Sequence, residues 1–75
     1  MAPTAEQSFK ALQSEVDVLA GATLDTPLAS IPQWDSLAIL LVITYFEHVH
    51  HTVLSGAQVR SCLTPRDFYK LLSLN

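Results

Sequence analysis

Ile31-Pro-Gln-Trp-Asp-Ser-Leu-Ala-Ile-Leu-Leu-Val-Ile-Thr-Tyr-Phe46 is the stretch on which the fold turns. Pro32 biases Ile31 away from helical backbone, so no helix runs through this point. Asp35 then offers a side-chain oxygen to the free N–H groups of a new helix. From Leu37 to Phe46 only Thr44 breaks the apolar run. Ten helical residues span ~15 Å against a hydrocarbon core of ~30 Å, so the run is no membrane span. A helix that is apolar nearly all round is either fully buried or docks a partner. A chain of 75 residues cannot bury every face of it. The reading is a central helix from Ser36 to about His50, with part of its surface left for docking.

On the N-terminal side, Thr4 and Gln7 have the spacing of a capping box. Phe9, Leu12, Val16 and Leu19 recur at helical intervals, which predicts a first helix from Thr4 to Ala20 with Gly21 as its stop. Residues 21–35 carry Pro27 and Pro32 and are predicted to be a long connection. Its Leu24, Leu28, Ile31 and Trp34 are apolar, so it is expected to pack over the core, pinned by largely buried Ile31 and Trp34. On the C-terminal side, 51–63 reads as irregular with one short helical turn within 57–62. Thr64-Pro65-Arg66-Asp67 is a strong helix start, and Phe68, Leu71 and Leu72 give that last helix an apolar stripe. The expected architecture is all-α: one domain over residues 1–75, with three main helices, one short helix and a long loop between helices 1 and 2.

Apolar residues make up 49% of the chain and charged residues 15%, the composition of a core-former. Seven acids against four bases give a net charge of -3, which argues against a nucleic-acid partner. The single cysteine, Cys62, excludes an internal disulfide and a cysteine-rich zinc site, and reads as a small core residue. The N-terminus shows no basic-then-apolar signal pattern, and a soluble cytoplasmic monomer with no membrane contact is expected. His48, His50 and His51 read as a solvated helix end and not as a metal site, because adjacent histidines on a helix cannot face one ion.

The chemistry-bearing candidate is Ser36. At the first helical position its hydroxyl stands beside free N–H groups and the positive end of the helix dipole, a good place for a phosphate ester. The plainer reading is that Asp35 is an N-cap and Ser36 merely tolerates the first turn. A catalytic nucleophile needs a base within reach. His48 lies 12 residues on, about 18 Å along the same helix. No Gly-x-Ser-x-Gly elbow is present. If Ser36 reacts, another protein must activate it, and no catalytic residue is assigned.

The order of long loop, Asp35-Ser36-Leu37, apolar helix, Phe46-Glu47, second loop and Thr-capped last helix ending Leu71-Leu72 resembles the acyl and peptidyl carrier-protein family. The stretch from Ile31 to Ala38 is similar to free-standing carriers with Trp before Asp-Ser, and Cys62-Leu-Thr-Pro-Arg-Asp-Phe68 resembles the family's approach to its last helix. The resemblance implies a 4′-phosphopantetheine arm on Ser36. It makes Asp35 and Leu37 the residues recognised by a phosphopantetheinyl transferase. It also implies loading and transferring enzymes that place acyl or aminoacyl thioesters on the arm, as in polyketide or nonribosomal-peptide biosynthesis. Two departures stand out. Trp34 replaces the Gly that many members carry, and no acid occurs on the second helix before Glu47. Docking is therefore expected through apolar contacts. Ile39, Leu40, Ile43, Phe46 and Val49 are assigned to the core, and Leu37, Leu41 and Tyr45 to docking. Ala38 and Val42 share a four-residue spacing on the remaining surface, and the long loop folding over part of it is the competing arrangement. The rival function is a cofactor-free helical adaptor that binds a partner through the same helix.

Overall fold

Three of the helices begin where a polar side chain accepts one of their free N–H groups, and the fourth where a side chain of its first turn reaches back to the residues before it. The computed structural model describes residues 4–73. It contains four helices: α1 (Ala5–Glu15), α2 (Ser36–His50), α3 (Gly56–Arg60) and α4 (Pro65–Ser73). At α1 the Gln7 N–H donates to Thr4 Oγ1 at 3.1 Å, and the Thr4 N–H donates to Gln7 Oε1 at 2.9 Å. Ser55 and Gln58 repeat this reciprocal box at α3, at 3.0 and 2.8 Å. Before α4, Asp67 Oδ2 accepts the N–H groups of Leu63 and Thr64 at 2.9 and 3.3 Å, which holds its carboxyl below the usual carboxylate range. No strand occurs among the described residues, and the fold is all-α.

The first helix is shorter than its periodicity predicts. It stops at Glu15, where Val16 turns extended (φ -122°, ψ 94°), and a 3₁₀ turn follows over Asp17–Leu19. Val16-Asp-Val is a run of weak helix formers. The Gln13 side-chain amide donates to the carbonyls of Leu19 and Ala22 at 2.9 and 2.8 Å, satisfying backbone that a longer helix would have paired internally. The bend still buries Val16 and Leu19 completely. Gly21 lies beyond it and has no positive φ, so it is not the stop. The left-handed cap is instead His51 (φ 53°), which ends α2.

The long connection packs over the core, with Ile31 and Trp34 less buried than expected. Leu24 and Leu28 are buried, while Ile31 and Trp34 lie partly buried against the core, and the Trp34 ring stacks on Phe68 with centroids 5.9 Å apart. Its backbone is tied to the α3–α4 junction twice: the Leu28 N–H donates to Leu63 O, and the Arg66 N–H donates to Leu24 O, both at 2.9 Å. Arg66 also grips Asp25 with two hydrogen bonds, at 2.9 and 3.1 Å.

α1 runs antiparallel to α2. Ser8 near its start meets Tyr45 and His50, while Val16 just past its end shares a groove with Ala38 and Leu41. The inward arc of α2 is Ala38, Ile39, Val42, Tyr45 and Phe46. This corrects the expected assignment by less than one residue step of rotation. Leu40 and Val49 are exposed, and Ile43 is only partly buried. Tyr45, assigned to docking, is buried: its hydroxyl donates to the Ser8 carbonyl at 3.0 Å. His50 is not a solvated end either. Its ring lies on Phe46 with centroids 5.2 Å apart, and its Nε2 is 2.7 Å from Ser8 Oγ. The cause is α1, whose buried Ser8, Phe9 and Leu12 draw the Ala38–Val42–Tyr45 side inward.

Cys62 is buried as expected. Burial pushes its thiol up to about 11, and its S–H donates to Gln58 O at 3.3 Å. No helix of the described residues is long and apolar enough to cross a membrane.

Trp34→Ala removes the stack on Phe68 that pins the long connection. At roughly 25 cal/mol per Å² for a partly buried indole, the expected loss is about 2–4 kcal/mol, read as a fall in the urea midpoint. A near-neutral result would mean that Leu24 and Leu28 alone hold the loop.

Candidate functional site

Asp35 makes the start of α2 by holding extended backbone (φ -132°, ψ -172°) while its Oδ1 accepts the Ala38 N–H at 3.1 Å and its carbonyl accepts the Ile39 N–H at 3.0 Å. Those two bonds satisfy the third and fourth N–H groups of the helix. The N–H groups of Ser36 and Leu37 remain at the open end. The first turn itself carries no acid, so the negative charge offsetting the dipole there is the Asp35 carboxylate at the cap. Ser36 is exposed, and its hydroxyl makes no hydrogen bond within the described residues. Two residues earlier, Trp34 is anchored on Phe68, so Ser36 projects from a fixed point of the fold.

Around this hydroxyl the surface is apolar. Leu37 is 64% exposed, Leu40 56% and Leu41 40%. Leu37 and Leu41 are four residues apart and share a face, with Leu40 beside them on the turn. Next to Leu37 a groove of ≈ 370 Å³ runs between α2 and the end of α1, lined by Val16, Val18, Asp35, Ala38 and Leu41 among others.

The structure thus brings Asp35, Ser36, Leu37 and Leu41 to one end and face of α2 and removes Tyr45 from that set. Leu40 is the surface residue that the sequence reading missed. Local sequence carries no signal for it, because Leu40 falls beside Leu37 and Leu41 only once packing against α1 has turned Ala38 and Val42 inward. The buried Ser8–Tyr45–His50–Tyr69 cluster was missed as well. Its signal is the four-residue spacing of Ser8, Leu12 and Val16, which places a serine on the apolar stripe of α1.

Nothing here equips Ser36 to act as a nucleophile by itself. α2 is unbroken from Ser36 to His50, so His48 lies about 18 Å along the axis. His50 is engaged with Ser8 at the far end. Among the described residues no group of three or more His, Cys, Asp or Glu side chains is arranged to hold a metal ion. The site can present an exposed hydroxyl at a helix N-terminus, with apolar side chains beside it. The chain matches no family model, and no curated protein or solved structure is detectably similar to it.

Two substitutions separate the roles of neighbouring residues. Ser36→Ala should leave stability within about 0.5 kcal/mol, since the hydroxyl has no partner to lose. Asp35→Ala should cost about 0.5–2 kcal/mol through loss of the cap. Equilibrium urea unfolding checks both. A large loss in Ser36→Ala would make the serine structural.

Proposed function

We propose that the chain is a carrier domain with the helical arrangement of the acyl-carrier fold, and that Ser36 bears a 4′-phosphopantetheine arm holding acyl or aminoacyl groups as thioesters. The observation that carries this reading is the exposed, unbonded Ser36 hydroxyl immediately after the Asp35 cap, with Leu37 exposed beside it. On this reading the domain shuttles intermediates between enzymes of polyketide or nonribosomal-peptide type and is not itself an enzyme.

The residues present fit the group. A phosphodiester on Ser36 would sit at the N–H groups of Ser36 and Leu37 and at the positive end of a 15-residue helix. The bound arm would supply a terminal thiol for thioester chemistry. Cys62 does not substitute for it, because its thiol is buried, bonded and raised to about 11. Loading is a phosphoryl transfer. The Ser36 oxygen bonds to a phosphorus of coenzyme A, the bond from that phosphorus to the nucleotide portion breaks, and the hydroxyl proton goes to a base on the transferase. Positioning and metal electrostatics come from that partner. This chain contributes the placement of the hydroxyl and the Asp35 and Leu37 contacts.

Partner enzymes would grip the leucine face. No acid stands on α2 before Glu47, so ion pairs along this helix supply little. Burying a leucine side chain is worth about 1.5–3 kcal/mol and does not depend on screening.

Incubation with coenzyme A, magnesium and a broad-specificity phosphopantetheinyl transferase, followed by intact-mass and peptide mapping, should show one adduct on Ser36 and none in Ser36→Ala. Adducts at Ser30, Ser55 or Ser61 would refute the assignment. Absence of any adduct, with partner binding through the leucine face retained, would select the cofactor-free helical adaptor. For a cognate loading or transferring enzyme, affinity should vary weakly from 0.1 to 1 M salt, over which the Debye length falls from ~10 to ~3 Å. Leu41→Glu should weaken it more than Glu47→Gln. Steep salt dependence would move recognition to acids elsewhere, such as Asp25 and Asp35.

A further inference from the structure

The groove of ≈ 370 Å³ beside Leu37 lies where α1 stops early. Helical geometry ends at Glu15, Val16 turns extended, and the chain swings into the 3₁₀ turn at Asp17–Leu19. The groove occupies that bend, between the turn and the first residues of α2. Val16 and Ala38 are its buried apolar floor, and Leu37 and Leu41, both exposed, form its wall on α2. The Gln13 amide braces the turn by donating to the carbonyls of Leu19 and Ala22, so the groove is preformed. Its volume falls among small-ligand clefts, which span about 300–1,000 Å³.

We propose that this groove receives the cargo of the Ser36 arm and takes a cationic aminoacyl group, with the apolar side chain of the amino acid against Val16, Ala38 and Leu41 and its free ammonium at the acidic rim. The inference rests on the reading that Ser36 carries the arm, and it names which of the two cargo classes the domain holds.

Charge complementarity selects the occupant. Every ionisable residue lining the groove is an acid: Glu15, Asp17 and Asp35. The bases are engaged or placed elsewhere. Arg66 pairs with Asp25 and Lys70 with Asp67. Lys10 shares a separate groove with Glu6, Asp25 and Arg66, and Arg60 belongs to α3. Among the described residues the Glu15 and Asp17 carboxylates have no ion-pair partner. Asp35 uses Oδ1 for the cap and keeps a second oxygen. A malonyl-type group ends in a carboxylate and would be repelled here. A plain acyl chain fits the floor but leaves the rim uncompensated. An aminoacyl group supplies both an apolar side chain and a cation.

The two ends of a loaded arm suit the two signs of charge found here. Its phosphate sits at the N–H groups of Ser36 and Leu37, at the positive end of the helix dipole. Its tip is flexible and turns back past Leu37, and Leu41 lies only about 8 Å further along the axis than Ser36. Glu15 and Asp17 face this wall from the other element. Both are exposed, so their pull on the ammonium is screened by salt, while the contact with the floor is not.

The test loads Ser36 through the transferase with coenzyme A derivatives whose cargo is held by an amide in place of the thioester: leucyl, N-acetyl-leucyl and malonyl. Intact mass establishes the adduct, and amide NMR shifts are read against the arm without cargo. The leucyl form should shift Val16, Asp17, Val18 and Leu41. The N-acetyl form should give less than half of those shifts, and the malonyl form none at these positions. Glu15→Gln/Asp17→Asn should bring the leucyl response down to the N-acetyl level. So should raising salt from 0.1 to 1 M, over which the Debye length falls from ~10 to ~3 Å. Equal shifts for leucyl and N-acetyl-leucyl, an unchanged response in the double variant, or shifts confined to Ser36 and Leu37 would each overturn the groove assignment while leaving the arm in place. Failure of any adduct to form would overturn the carrier reading, and this inference with it. If the double variant does not fold, the leucyl and N-acetyl-leucyl comparison on the wild type decides alone.

Discussion

The ring of Phe46 has no exposed surface, and the rings of Tyr45, His50, Phe68 and Tyr69 all have centroids within 6.1 Å of its own. Edge-to-face and offset contacts of this kind add about 0.5–1.5 kcal/mol per pair beyond burial, and they also fix orientation. Through Phe46 the α2 and α4 helices are locked in rotation as well as in distance. The consequence reaches the far end of the molecule. With Ala38, Val42, Tyr45 and Phe46 inward, helical geometry leaves Leu37, Leu40 and Leu41 outward. The apolar face beside Ser36 is thus set by an aromatic cluster about three turns away.

Apolar packing alone would tolerate α1 sliding along α2, because leucine and valine contacts are non-directional. The Ser8 network removes that freedom. Each of its bonds ties α1 to a named atom of α2 or α4, and shifting α1 by one residue would leave buried hydroxyls unpaired, at about 1–3 kcal/mol each. Every buried side-chain N or O atom among the described residues has a partner. In so small a domain one serine on an apolar stripe sets the register of the antiparallel pair.

Local signals in the chain were legible wherever a side chain meets backbone nearby. The caps at Thr4 and Asp35 lie three residues from their partners, and the bounds of α2 follow from Asp35 and the apolar run. The packing of the long connection was legible from Leu24, Leu28, Ile31 and Trp34. What the sequence hid was decided at long range. The early end of α1 depends on Gln13 reaching carbonyls six and nine residues away. The rotation of α2 depends on α1 lying over Ala38 and Val42 and on Ser8 finding partners 37, 42 and 61 residues on. An all-round apolar helix carries almost no information about which side faces in. That is why Tyr45 and Leu40 exchanged roles while Ser36, Asp35 and Leu37 stayed where the local motif put them.

These constraints divide α2 into two ends with different physics. At Ser36 the helix opens to solvent, with free N–H groups, no acid beyond the Asp35 cap and three exposed leucines. At His50 it is closed by aromatic rings and by hydrogen bonds to two other helices. The ends are about 21 Å apart along an unbroken helix. An exposed leucine face gains nothing for the isolated domain, since its area stays in water whether or not the chain is folded. Its stabilising free energy is realised only against another surface. The closed end is what makes that arrangement tolerable. It concentrates the specific, directional contacts where they hold the fold, so the open end can carry an unbonded hydroxyl and uncovered apolar area without loosening the core behind it.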